Sequence, residues 1–244
     1  MDAVAITRHS EKRAPFRLAK ANTVLLRYED VSSAHGQHIT VEALSLSNGD
    51  AEAFVASLAS VEAPEPGQRI MPFDPNDVSV ALWISIGPHH ILLGADLENT
   101  SDAERGWKAV LASPARPGGR ARLIKIPHHG SSNAHIQELW QEMLAEQPVA
   151  ALTTWNRGSK LPRSSDVQRI LQLTLNAYAS SRVDRKPLTR PAAVDKTLQE
   201  AGVRIRAQHP RPGHVRARLD LGKSEEDWRV DLFNGALPLG ELDA

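Results

Sequence analysis

Short unbroken apolar runs alternate along this chain with stretches whose apolar residues recur at helical spacing, and the alternation predicts an α/β fold. Strands are predicted over 22–28, where Thr23-Val24-Leu25-Leu26 is a buried-type run, and over 38–46, which partly alternates. A short helix over 49–58 follows, with Asn48 or Asp50 as its cap, and the Pro- and Gly-broken segment 63–76 reads as a loop. Residues 78–86 and 90–94 are read as two arms of a hairpin turning on Gly87-Pro88-His89. A helix from Ser101 or Asp102 to about Ala112, a strand over 123–126, a helix over 136–145 and a strand over 149–154 continue the strand–helix–strand alternation. The remainder predicts helices over 164–179 and 193–201, the second ended by Gly202, and strands over 203–207, 214–219 and 228–233.

A chain of 244 residues without repeat or clear linker reads as one main domain spanning 1–244. It has no cysteine, which excludes disulfides, thiolate zinc sites and a cysteine nucleophile, so any metal must be held by His, Asp or Glu. No run approaches the ~20 apolar residues of a membrane span, and the N-terminus lacks the apolar stretch of a signal peptide. The expectation is a soluble, cytoplasmic protein without a membrane partner.

The net charge of zero is a sum of opposites. Residues 29–104 hold 13 Asp and Glu against 1 Arg, whereas residues 105–218 hold 20 Lys and Arg against 7 acids. The basic clusters Arg116, Arg120, Arg122, Lys125 and Arg182, Arg185, Lys186, Arg190 suit the phosphates of a nucleic acid or nucleotide; alternatively they pair with the acidic segment or stay solvated.

Chemistry concentrates where two apolar runs end, at Leu92-Leu93-Gly94-Ala95-Asp96 and Lys125-Ile126-Pro127-His128-His129-Gly130-Ser131. An ionised carboxylate and neutral imidazoles suit a divalent ion such as zinc or manganese, and a stiff strand behind a ligand holds its direction. Read locally, Asp96 can equally cap the following helix and the two histidines can satisfy backbone groups at a tight turn.

Taken in order with Asn76-Asp77-Val78-Ser79, these segments resemble the C-terminal half of a metallo-β-lactamase-fold hydrolase, and most nearly the hydrolase domain of bacterial competence DNA-uptake proteins. The resemblance spans about 39–175, leaving a basic loop region at 176–192 and a closing helix and strands at 193–244. It implies a metallo-β-lactamase-like αββα sandwich, truncated in its N-terminal half. It also implies a metal-dependent hydrolase of phosphodiester-type substrates. Asp96 matches the family's metal-bridging carboxylate, and one of His128 or His129, with His129 preferred, matches its late histidine ligand. By the same resemblance Asp96 and His129 are the catalytic candidates and Asp96, His128 and His129 the metal candidates; Ser131 and Arg163 are the candidate substrate contacts.

The family's His-x-His-x-Asp-His signature is absent. His35-Gly36-Gln37-His38 lacks its aspartate and spacing, His9 is isolated, and His89 and His90 are expected on an exposed hairpin turn. Where competence-type proteins carry His-Pro-Ser, this chain has Pro162-Arg163-Ser164. An arginine cannot ligate a cation, though its planar fork can hold a phosphate oxygen. A catalytic zinc wants three protein ligands and a water, so the expectation is a weak or partial site. Either an upstream segment or partner chain completes it, or the chain is a catalytically inactive binding or assembly protein. A half sandwich would also expose a sheet face, which calls for a covering partner chain or homo-oligomer.

Overall fold

The computed structural model describes residues 19–29, 38–59, 75–183, 191–203, 212–221 and 228–242. Its chain order begins with β1 (Thr23–Glu29), β2 (His38–Ala43), helix α1 (Asn48–Ala59), β3 (Leu82–Ile86) and β4 (His89–Leu93). There follow α2 (Gly106–Ala112), β5 (Ala121–Lys125), α3 (Gln137–Glu142), β6 (Leu144–Leu152), α4 (Ser164–Leu173) and β7 (Ala177–Ala179). The chain continues through α5 (Ala192–Glu200), β8 (His214–Arg218), β9 (Arg229–Phe233) and β10 (Leu237–Pro238). The protein is α/β, as its alternating pattern predicts: an 8-stranded mixed sheet in the order β1-β2-β3-β4-β5-β6-β7-β10, and a separate two-stranded ribbon of β8 and β9. Strands β1 to β4 are antiparallel neighbours, β4 to β7 run parallel, and β10 returns antiparallel to β7. Among the described residues, no helix is long and apolar enough to cross a membrane.

Register explains why the two faces of the sheet differ. Trp83, Leu92, Ile124, Ala150 and Ala177 pair directly from strand to strand, so they lie in one row on one face. All five are buried at 0–1% exposure, with Trp107 and Val110 of α2, Leu139 of α3 and Ile170 of α4 in the same core. The row Leu26, Val41, Ile84, Ile91, Leu123 and Val149 lies on the opposite face. Only Val149 of that row is buried, and Leu26 is 53% exposed. One face thus carries helices α2, α3 and α4 and the core, while an apolar stripe on the other is half-covered.

Several boundaries depart from the pattern-based expectation. Helix α1 is capped by Ser47, whose Oγ accepts the Asp50 amide at 3.0 Å while the Asp50 carboxylate accepts the Ser47 amide at 3.0 Å, a reciprocal cap that leaves Asn48 inside the helix. The first hairpin arm begins only at Leu82, because Pro75–Val78 forms a 3₁₀ turn. Helix α2 starts at Gly106, and Asp102 instead accepts the Glu104 amide at 2.9 Å in the preceding turn. Residues 144 and 145 belong to β6, not to the helix before it, and 177–179 form β7. Residue 203 lies in no strand, and 204–207 lie outside the described residues.

Candidate functional site

In parallel sheets, ligands bind beyond the carboxyl ends of the strands, where loops from neighbouring strands meet. Here the segments following β4, β5 and β6 meet in an open cleft of about 700 Å³, lined by Asp96, His128, His129, Ser131, Trp155 and Arg163 among others. All five residues singled out in the sequence, Asp96, His128, His129, Ser131 and Arg163, therefore face one cavity.

The two turns that carry Asp96 and the histidine pair are laced together by backbone. Gly94 donates its amide to the Lys125 carbonyl at 3.0 Å, and the His128 amide donates to the Ala95 carbonyl at 3.0 Å. A Cβ on Gly94 would stand 2.9 Å from the Lys125 oxygen and from the Pro127 ring carbons, so the approach requires glycine. Ala95, His128 and His129 all have positive φ, at 48°, 42° and 53°. Non-glycine residues pay about 1–2 kcal/mol for this conformation, and such outliers concentrate at functional sites.

The two imidazoles differ in how their Nδ1 atoms are met. The Thr153 carbonyl lies 2.8 Å from His129 Nδ1, and since a carbonyl only accepts, Nδ1 carries the proton and a neutral ring keeps its lone pair on Nε2. The Thr153 hydroxyl stands 3.1 Å from the same nitrogen. His128 Nδ1 is 2.8 Å from Glu98 Oε1, too poorly aligned for a hydrogen bond but close enough for an ionic contact. Glu98 in turn accepts from Asn76 Nδ2 at 3.0 Å. An oxygen partner that fixes the tautomer through one ring nitrogen is the arrangement that metal-binding histidines use.

Helix α4 braces this turn from below. Asp166, 2% exposed, accepts the Arg163 amide at 3.0 Å and the Arg169 guanidinium at 2.8 Å. The same guanidinium donates to the Gly130 carbonyl at 2.6 Å. Arg163 is thereby fixed at the N-cap of α4 with its side chain on the cleft. Half-buried His135 is held below its ordinary pKa by burial and then by Arg169, against the opposing pull of Glu138 and Asp166. Burial also lowers Lys125, and the Asp96 carboxylate opposes that shift.

Comparison with protein-family models, with curated proteins and with solved structures finds no match to this chain.

The donor set suits a metal in kind: two imidazoles, one of them with its Nδ1 taken by the Thr153 carbonyl, and a carboxylate on the same cleft. In number it is short. Among the described residues, no three His, Asp or Glu side chains converge as a group that could hold an ion. Among the described residues, His38, His89, His90, His135 and His214 do not line the cleft. His38 is exposed near Glu29 at 3.6 Å, while His9 and His35 lie outside the described residues. His90 is not the exposed turn residue expected: it is half-buried, 3.0 Å from Ser85 Oγ and packed on Trp83.

Several of the basic residues make local contacts. Arg116 pairs with Glu142 at 2.7 Å, Arg120 and Arg182 donate to the Leu144 and Glu241 carbonyls, and Lys125 donates to the Ile126 carbonyl. Arg122 lines a second cleft with Tyr178 and Trp228, and Arg185, Lys186 and Arg190 lie outside the described residues. Glu98, Trp155 and Arg157 belong to the site without having been singled out. Only Glu98 carried a signal, its position two residues after Asp96.

Proposed function

We propose that this chain carries part of the metal-dependent hydrolytic centre of a metallo-β-lactamase-like fold, acting on phosphodiester-type substrates. The observation that carries the reading is the shared cleft: Asp96 and both histidines face it from the ends of adjacent parallel strands. Asp96, His128 and His129 would supply part of the ligand set of a weakly held zinc or manganese, the remaining donors coming from elsewhere in the protein or from another chain. When bound, such an ion lowers the pKa of a coordinated water to about 7 and polarises a phosphoryl oxygen. Thr153 keeps the His129 ring in the tautomer that leaves Nε2 for ligation, Glu98 stands beside the His128 ring, and Arg163 and Ser131 would hold the anionic substrate. The half-covered apolar row from Leu26 to Leu123 supports the sandwich reading, in which a second layer, from elsewhere in the protein or from another chain, packs on this face. The basic half would add affinity for a nucleic-acid partner.

A second reading rests on the shortage of converging donors among the described residues: a binding or assembly protein that keeps the scaffold without turnover. The two separate in one experiment. Purified protein is assayed for zinc and manganese by elemental analysis and for hydrolysis of bis(p-nitrophenyl) phosphate with each metal added. Metal-dependent turnover supports the hydrolase; stoichiometric absence of metal with no turnover leaves the binding protein.

A further inference from the structure

A large indole stands at the mouth of the cleft in a position that core packing does not account for. Trp155 is 42% exposed, whereas Trp83 and Trp107 are completely buried. Its backbone is locked, since Trp155 and the buried Leu161 exchange amide-to-carbonyl hydrogen bonds at 2.8 and 2.9 Å. The loop they close carries Arg157, Gly158 and Ser159 onto the cleft. The Trp155 ring lies 5.3 Å from that of His129 at 34°, which places the platform directly beside the proposed reacting centre. An exposed aromatic on a pinned loop is a contact surface held ready in advance.

Charge narrows the ligand. Arg157 and Arg163 both line the cleft, and among the described residues no carboxylate pairs with either guanidinium. Two planar cations prefer phosphate, which accepts their forked N–H groups in pairs. A flat indole prefers a flat partner, and every nucleobase presents one. A cavity of about 700 Å³ is of the size that takes a small molecule.

We propose that the cleft binds a nucleotide unit, its base stacked on Trp155 and its phosphate held by Arg157 and Arg163. The inference deepens the hydrolase reading by naming the substrate class, and it rests on the same cleft. A simple acyl or dialkyl phosphate substrate would leave Trp155 without a role.

The test is a calorimetric titration of the whole protein with AMP, ribose 5-phosphate and adenosine. AMP is expected to bind more tightly than either fragment. Trp155→Leu should lower AMP affinity by about 5- to 150-fold, the effect of removing one base–aromatic stack, while leaving ribose 5-phosphate unchanged. Arg157→Ala and Arg163→Ala should weaken AMP and ribose 5-phosphate together and spare adenosine. Trp155 and both arginines are exposed, and an unchanged melting temperature verifies that each variant folds. Equal AMP affinity in wild type and Trp155→Leu, or no AMP binding at millimolar concentration, overturns the proposal. If AMP binding fails while bis(p-nitrophenyl) phosphate is hydrolysed, the nucleotide assignment falls alone. Trp155-dependent AMP binding without any metal-dependent hydrolysis removes the hydrolase reading and leaves the nucleotide site standing.

Discussion

The His128 amide reaches across from one strand end to the Ala95 carbonyl of the next, at 3.0 Å. The residue after Ala95 is Asp96 and the residue after His128 is His129, so one backbone hydrogen bond sets the spacing between the carboxylate and the imidazoles. Both bonded residues sit in left-handed backbone, which neither would choose alone. The surrounding contacts must hold them there, and those contacts are where the site can be tested.

Gly94→Ala should loosen the lacing. Its new Cβ would press on the Lys125 carbonyl and on Pro127 at 2.9 Å, and both belong to buried or tightly bonded backbone. The expected loss is about 1–3 kcal/mol, the usual range for overpacking, read as a lower midpoint in urea denaturation. A midpoint within error of wild type would mean that the two turns are not in forced contact.

The central strands are legible because each of β3 to β6 contains a short apolar run, Leu82-Trp83-Ile84, Ile91-Leu92-Leu93, Leu123-Ile124 and Val149-Ala150-Ala151-Leu152, and the row Trp83, Leu92, Ile124, Ala150 follows from pairing those runs. The stretch 164–179 departs from its helical spacing for a physical reason. Leu171 and Leu175 continue a helical spacing, but the chain leaves the helix at Thr174, whose buried hydroxyl donates to the Pro148 carbonyl at 2.8 Å and accepts the Asn176 amide at 3.1 Å. Leu175 is consequently 77% exposed, and Ala177–Ala179 pairs with β6. A hydrogen bond to a residue 26 positions away leaves no trace in local periodicity. The site divides in the same way. Asp96 and the histidine pair announce themselves by standing after apolar runs, whereas Trp155 and Arg157 acquire meaning only when the loop after β6 folds back over the cleft.

Arg169→Met should be among the most damaging single changes near the site. It strips a guanidinium from Asp166, which is 2% exposed, and a donor from the Gly130 carbonyl. Leaving a buried carboxylate without its cation costs about 3 kcal/mol or more. Arg169→Met combined with Asp166→Asn should recover part of that loss, since no buried charge then remains. Chemical denaturation of the single and double variants checks both statements; a single variant as stable as wild type would show that Asp166 is satisfied by the Arg163 amide alone.

Acidification should destabilise the fold through His135. Its folded pKa lies below the ordinary 6.5, because burial and Arg169 disfavour the imidazolium. Between that lowered value and 6.5 the unfolded chain binds more protons than the folded one, so stability rises with pH across the window and falls on acidification through it. His90 is shifted in the same direction, by burial and then by His89, and adds to the slope. His135→Asn should flatten the dependence of the urea midpoint on pH below the ordinary histidine value of about 6.5. An identical slope in wild type and variant would exclude His135 as a contributor.

Asp96→Ala bears most directly on the proposed chemistry. The side chain lines the cleft and its charge acts on Lys125, whose ammonium is disfavoured by burial and supported by this carboxylate. Removing the carboxylate should therefore depress the Lys125 pKa further, a small effect that leaves the protein folded by near-ultraviolet circular dichroism. Zinc affinity should fall by at least about tenfold, since a supporting partner alone is worth that much at metal sites and Asp96 is proposed as a direct ligand. Hydrolysis of bis(p-nitrophenyl) phosphate, wherever wild type supports it, should be lost with the metal. Lys125→Met supplies the control, because it removes the cation that Asp96 faces without touching a proposed ligand. If Asp96→Ala keeps both zinc affinity and turnover, the carboxylate belongs to the Lys125 electrostatics and not to a metal centre.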